Sequence, residues 1–206
     1  MHLRANNSTK EPHLRQASIA AWGFGLLCTV LLLLGVPQSA RGQSTADEYE
    51  VKAAFLFHFA QLTNWPAGAL DAGGSSLNLC IFDDEPRRQE LENTLDGKVV
   101  GGRVLHVRPM RQLQEFKNCN IFFLSRDEAQ RQTAIVKSLR GMPVLTVGET
   151  ANFLSDGGMI RFHLEEGKVR FDINLGAADS AQLKISSQLL LLATSVTGVA
   201  KADGGM

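Results

Sequence analysis

Three cysteines, five histidines and one tyrosine leave this 206-residue chain short of the side chains most often recruited for metal binding and covalent catalysis. No His-x-His or His-x-x-x-His pair occurs, so the ligand spacings of common zinc sites are missing. A nucleophile elbow of the Gly-x-Ser-x-Gly type is absent, and so are the P-loop and the dinucleotide-binding glycine pattern. "DGKVVGGR" (96–103) is rich in glycine, yet it precedes a strand rather than a helix and reads as a turn. There is no internal repeat and no low-complexity linker. An excess of positive charge is lacking as well: 21 Lys and Arg stand against 21 Asp and Glu, which argues against nucleic acid as a partner. The expectation is a non-enzymatic protein with no metal and no cofactor.

The one long hydrophobic run is N-terminal. Arg4, Lys10 and Arg15 precede "AAWGFGLLCTVLLLLGV" (20–36), Pro37 breaks the run, and Ala40-Arg41-Gly42 sets small residues at a cleavage position. Ser44-Thr45-Ala46 offers a second such position. This is the pattern of a cleaved secretory signal, residues 1–42, with an uncleaved membrane anchor as the alternative for a run of near-spanning length, and Cys28 lies inside the run rather than after it, so no lipid anchor is expected. Removing 1–42 takes away four basic residues and one acid. The remaining domain, 43–206, then carries 17 basic and 20 acidic residues, a net charge of −3, and no stretch suited to stable membrane insertion. Two cysteines remain in it, Cys80 and Cys119. In an exported chain an even pair suggests a disulfide, while two buried thiols in strand-like runs are the alternative.

Beyond the signal, "DEYEVKAAFLFHFAQLTNWP" (47–66) reads as a helix that Pro66 ends, apolar almost all round and therefore covered on more than one side. Short apolar runs then alternate with polar helical segments: strands at 77–82, 103–108, 120–125 and 143–148, helices at 86–95, 111–116 and 126–140, with Ser125 as a candidate cap. "MIRFHLEEGKVRFDINL" (159–175) is a hairpin turning at Glu165-Glu166-Gly167, and 176–196 reads as one apolar-faced helix. The expected fold is α/β: a mostly parallel sheet flanked by helices, with an antiparallel C-terminal hairpin at its edge.

Two places carry candidate sites. Asp83 and Asp84 follow the first long strand, at the carboxyl end of a parallel sheet where ligands bind, and Glu149 follows a later strand. These three are the candidate small-ligand site. In "KVRFDINL" (168–175), Val169, Phe171, Ile173 and Leu175 alternate with Lys168, Arg170, Asp172 and Asn174. The polar set, with Phe153 and Ile160 nearby in sequence, is the candidate partner surface. His58 is expected in a core or an interface, and His106 and His163 at the surface.

Several stretches taken together resemble the YfiR-like family of exported bacterial proteins. They are "EYEVKAAFLFHFAQLTNWP", "LNLCIF", "LDGKVVGGRVLHVR", "CNIFFLS", "PVLTVGE", "GGMIRFHLEEGKVRFDINL" and "LKISSQLLLLA", in order, from Glu48 to about Val196. The resemblance implies an α/β periplasmic domain, often a homodimer, that represses an inner-membrane diguanylate cyclase by binding its periplasmic sensor domain. It also implies a bridge between Cys80 and Cys119. Two departures stand out: Phe57-His58-Phe59 replaces the usual "YNF", and 152–162 has none of the second cysteine pair that some members carry. A receptor that passes a small ligand's signal to another membrane sensor, such as a kinase, is the competing reading.

Overall fold

Successive side chains of a strand face opposite ways, and in the second half of β2 (Ser76–Phe82), from Leu79 on, both ways are buried. Leu77, Leu79 and Ile81 join one apolar cluster, while Cys80 and Phe82 join another. A strand with two dry faces belongs inside a sheet covered on both sides. The computed structural model describes residues 45–70, 74–82 and 87–199, all within the unit Gly42–Met206. The expected export signal, residues 1–42, and its cleavage position at Gly42 lie outside these residues, while the second candidate position runs into the start of the helix Thr45–Gln61.

Around β2 are β4 (Arg103–Met110), β5 (Ile121–Leu124), β6 (Leu145–Gly148), β7 (Ile160–Glu165) and β8 (Lys168–Asn174). Two short strands, β3 (Val99–Val100) and β10 (Ser195–Thr197), complete an eight-stranded sheet of order β10-β8-β7-β6-β5-β2-β4-β3. Pairing is parallel except at β7–β8 and β3–β4. The α/β class, the mostly parallel sheet and the antiparallel hairpin are therefore as the sequence predicts. The chain steps from β2 to β4 on one side, then returns past β2 to β5. That reversal creates a switch point between the carboxyl ends of β2 and β5.

One face of the sheet packs beneath α1 (Thr45–Gln61) and α2 (Arg88–Leu95). Phe59 is fully buried, its ring 5.5 Å from Phe162 and 5.0 Å from Phe171, and Phe55 lies 5.3 Å from Phe171. The apolar side of β8 is thus covered by α1. The other face is covered by a 3-10 segment, Leu113–Asn118, through Phe116, and by α3 (Gln132–Leu139) through Ile135, Val136 and Leu139.

Four expectations need correction. Helix α1 ends at Gln61, before Pro66, because Thr63 and Asn64 extend as β1 and pair with β9 (Lys184–Ile185). The 126–140 segment is a 3-10 turn, Arg126–Glu128, followed by α3, and Ser125 caps neither: its Oγ is buried with no hydrogen-bond partner. The 176–196 stretch is four short pieces rather than one helix. Asn174 caps α4 (Leu175–Ser180) by accepting from the Ala177 N–H, Gln182 turns the chain at φ 59°, β9 follows, and Ser186 caps α5 (Ser187–Leu192). Side-chain caps at Asn174 and Ser186 compete with helix continuation and win. Finally, the hairpin is not at the sheet edge, since β10 runs parallel to β8 outside it.

Candidate functional site

The polar side of β8 divides into two halves. Lys168 and Arg170 are exposed, and Arg170 Nε lies 3.7 Å from Glu165 Oε2, a solvated pair of little energetic weight. Asp172, in contrast, is buried at 4% exposure. Its carboxylate accepts from Arg161 Nε at 3.1 Å, from Arg161 Nη2, and from Ser195 Oγ at 2.7 Å. Arg161 is held in turn by the Ala151 carbonyl, 2.9 Å from Nη1. Burial alone would raise the Asp172 pKa, but the Ser195 and Arg161 hydrogen bonds, with the nearby His163 and Arg161 charges, bring it below its ordinary value. His163 Nδ1 stands 3.3 Å from Asp172 Oδ2 without hydrogen-bond alignment, so this histidine faces the carboxylate instead of open surface. Asn174 is committed too, donating to the Leu154 carbonyl at 3.2 Å while it caps α4.

Phe153 and Ile160 are each 0% exposed, so neither can present a side chain to a partner. The Phe153 ring lies between Gly148 and Gly158. A Cβ at either glycine would come within 2.2 Å of a ring carbon. Glycine is required there because an aromatic ring occupies the space a side chain would take. Of the residues predicted for a partner surface, the structure leaves Lys168 and Arg170 accessible.

At the carboxyl end of the sheet, Asp83 and Asp84 lie outside the described residues. Glu149 is described, and it is not a free ligand group. Its carboxylate accepts from Lys52 Nζ, from Tyr49 Oη at 3.3 Å and from the Arg126 backbone N–H at 3.0 Å. Lys52 is buried, also pairs with Glu48, and places its ammonium 4.3 Å from the Tyr49 ring centre. A buried carboxylate needs a partner charge and hydrogen bonds, and the first two turns of α1 supply both. Tyr49 and Lys52 were not singled out from the sequence. The available signal was a lone basic residue, Lys52, set before the apolar run "AAFLF" on a helix that has to be buried.

Cys80 and Cys119 form a disulfide with Cα atoms 5.7 Å apart, tying β2 to the end of the 3-10 segment. His58 is exposed, 3.2 Å from Gln61 Oε1, and is not a core residue; His106 Nδ1 lies 3.5 Å from Asp96 Oδ1. Among the described residues, no three or more His, Cys, Asp or Glu side chains gather as a metal site. No described helix is long and apolar enough to cross a membrane. Exposed apolar side chains concentrate near the C-terminal end of the described chain, where Leu191 is 85% and Val199 63% exposed.

Among solved structures, a conserved domain protein from Vibrio cholerae O1 biovar El Tor N16961 has a TM-score of 0.50 at 11% identity, over 72% of this chain and 60% of that one. An ABC domain from Streptococcus pneumonia, solved in complex with L-Trp, has a TM-score of 0.46 at 10% identity, over 68% and 59%. The chain therefore spans about 60% of the length of either. The likeness to the first is one of fold. No curated protein matches the chain. The family described as YfiR/HmsC-like matches residues 49–194, from the first turns of α1 to the end of α5. That match covers well over half of the chain and takes in every long described strand and all five described helices in part or whole, and on it the protein belongs to the YfiR/HmsC-like family.

Proposed function

We propose that this protein is an exported periplasmic regulator that binds the periplasmic sensor domain of an inner-membrane diguanylate cyclase and holds the enzyme inactive. Release would raise cyclic di-GMP and favour biofilm formation. The observation that carries this reading is the family match over residues 49–194. The surface best suited to the contact is the tip of the β7–β8 hairpin, where Lys168 and Arg170 project from a strand that Asp172 and Asn174 anchor beneath. Cations carried on a rigid strand steer an encounter with an acidic partner and set its specificity. A homodimer is part of the proposal, and light scattering on the mature protein tests it. The decisive experiment is capture of the cyclase from solubilised membranes by the immobilised mature protein, with cyclic di-GMP measured in cells that lack it. No captured cyclase and an unchanged cyclic di-GMP level would overturn the reading.

A further inference from the structure

The second face of the sheet is not covered along its whole length. The helical part of the link from β4 to β5 is only the six-residue 3-10 segment Leu113–Asn118, whose end meets β2 at Asn78. Around that point the buried face of β2 and β4 keeps its apolar residues, Leu77, Leu79, Leu105 and Val107, while the other face carries Ser76 and Asn78 opposite Val104 and His106, with Arg108 next along β4 opposite Cys80. A parallel strand pair in an α/β sheet is ordinarily apolar on both faces. Here the polar side chains Ser76, Asn78 and Arg108 lie on the side that no described helix covers, and they line a cavity of about 500 Å³. That volume is in the range of small-molecule sites, roughly 300–1,000 Å³.

The walls are held in place. Asn78 donates through Nδ2 to the Asn118 carbonyl at 2.9 Å, and its backbone N–H donates to Asn120 Oδ1 at 2.8 Å. Cys80, on the cavity floor, is bridged to Cys119, which lies between those two asparagines. Arg108 Nε reaches Asn78 Oδ1 at 3.4 Å, and neither Arg108 nor Lys117 has an ion-pair partner among the described residues. Glu115 is the one acid on the lining among the described residues, accepting from the Arg111 backbone N–H at 3.2 Å. A guanidinium and an ammonium against one carboxylate leave the described lining singly positive, and a guanidinium fork matches an oxyanion in two parallel hydrogen bonds.

We infer that this disulfide-braced cavity between β2, β4 and the 3-10 segment binds a small polar molecule through one carboxylate or phosphate group, held by Arg108 and Lys117. Glu115 and the amides of Asn118 and Asn120 take the donors and acceptors on the rest of the molecule. Glu149 is not part of this lining, and the site stands whether or not the protein restrains a cyclase.

The test is a titration of isotope-labelled mature protein, observed by amide NMR, with two probes: gluconate and glucose 6-phosphate. At about 10 mM, well above the dissociation constant of a weak site near 1 mM, one or both should shift the amides of Asn78, Lys117, Asn118 and Asn120. Gluconate alone assigns a carboxylate, glucose 6-phosphate alone a phosphate, and both together a general oxyanion site. In Arg108→Gln the affinity should fall about tenfold, the scale of one charge-assisted hydrogen bond, with the melting temperature unchanged because Arg108 is exposed. No shift at those amides with either probe overturns the inference. So does an equal response in the Arg108→Gln and Lys117→Gln variants.

Discussion

Asp172 occupies a strand position that alternation assigns to the wet side of β8, yet it is a buried carboxylate with two donor side chains. Because its folded pKa lies below the ordinary 3.8, its stabilisation is complete above that value and is lost as pH falls through the lowered one. Asp172→Asn should cost about 1–3 kcal/mol at pH 7, the penalty for unsatisfied partners, and should flatten the further loss of stability below pH 4. Urea unfolding at pH 7 and pH 3 checks this, and an unchanged acid slope in the variant would count against it. Gly148 makes a second case. Adding one methyl there drives it into the Phe153 ring, so Gly148→Ala should cost about 1–3 kcal/mol, and Phe153→Leu in the same chain should restore part of that. Alternation made the two sides of β8 legible in the sequence, but not what lies above them. Whether Asp172 is wet depends on the loop that carries Ala151 and Leu154, and whether Phe153 is available depends on two glycines that flank it in space.

Helix α1 is fastened to the sheet end by Lys52, Tyr49 and Glu149. Removing the cation alone leaves a buried carboxylate without its charge partner, so Lys52→Met should cost about 3–5 kcal/mol in a denaturant titration, and Lys52→Met with Glu149→Gln should cost less than that single change. The bridge acts on a different pair of elements. Replacing both Cys80 and Cys119 by Ala opens a loop of 39 residues and should cost about 4 kcal/mol in the chain-entropy account, with partner capture retained. The elements themselves were legible where a pattern ran long, as in the apolar length of α1 and the alternation of the hairpin. They were not where caps interrupt it. The run 176–196 keeps a helical apolar pattern through α4, β9 and α5, and only Asn174, Ser186 and the left-handed Gln182 divide it. Such caps are single residues, and periodicity averaged over a window passes over them.

Across the whole molecule, the alternation of strands and helices announced the α/β class, but the order of strands is settled by contacts far apart in the chain. Nothing in "SVT" marks it as the strand that covers β8, because three residues carry no period. For the proposed regulator, Arg170→Glu should leave the melting temperature within a few degrees, since the side chain is about half exposed, and should weaken capture of the membrane partner with derepression in cells. Full repression by a well-folded Arg170→Glu protein would move the contact elsewhere, first to the exposed Leu191 end. The position of α1 has one more consequence, and it concerns time. Helix α1 finds its aromatic partners, Phe162 and Phe171, and Thr63 just beyond it finds its strand partner, Ile185, only after roughly a hundred further residues have emerged. Closing contacts at such separations is slow, so a nascent chain of this design stays open until its C-terminal end is free. A polypeptide that is threaded through a membrane before it folds is suited by that delay, and one truncated before β9 should remain unfolded however long it is given.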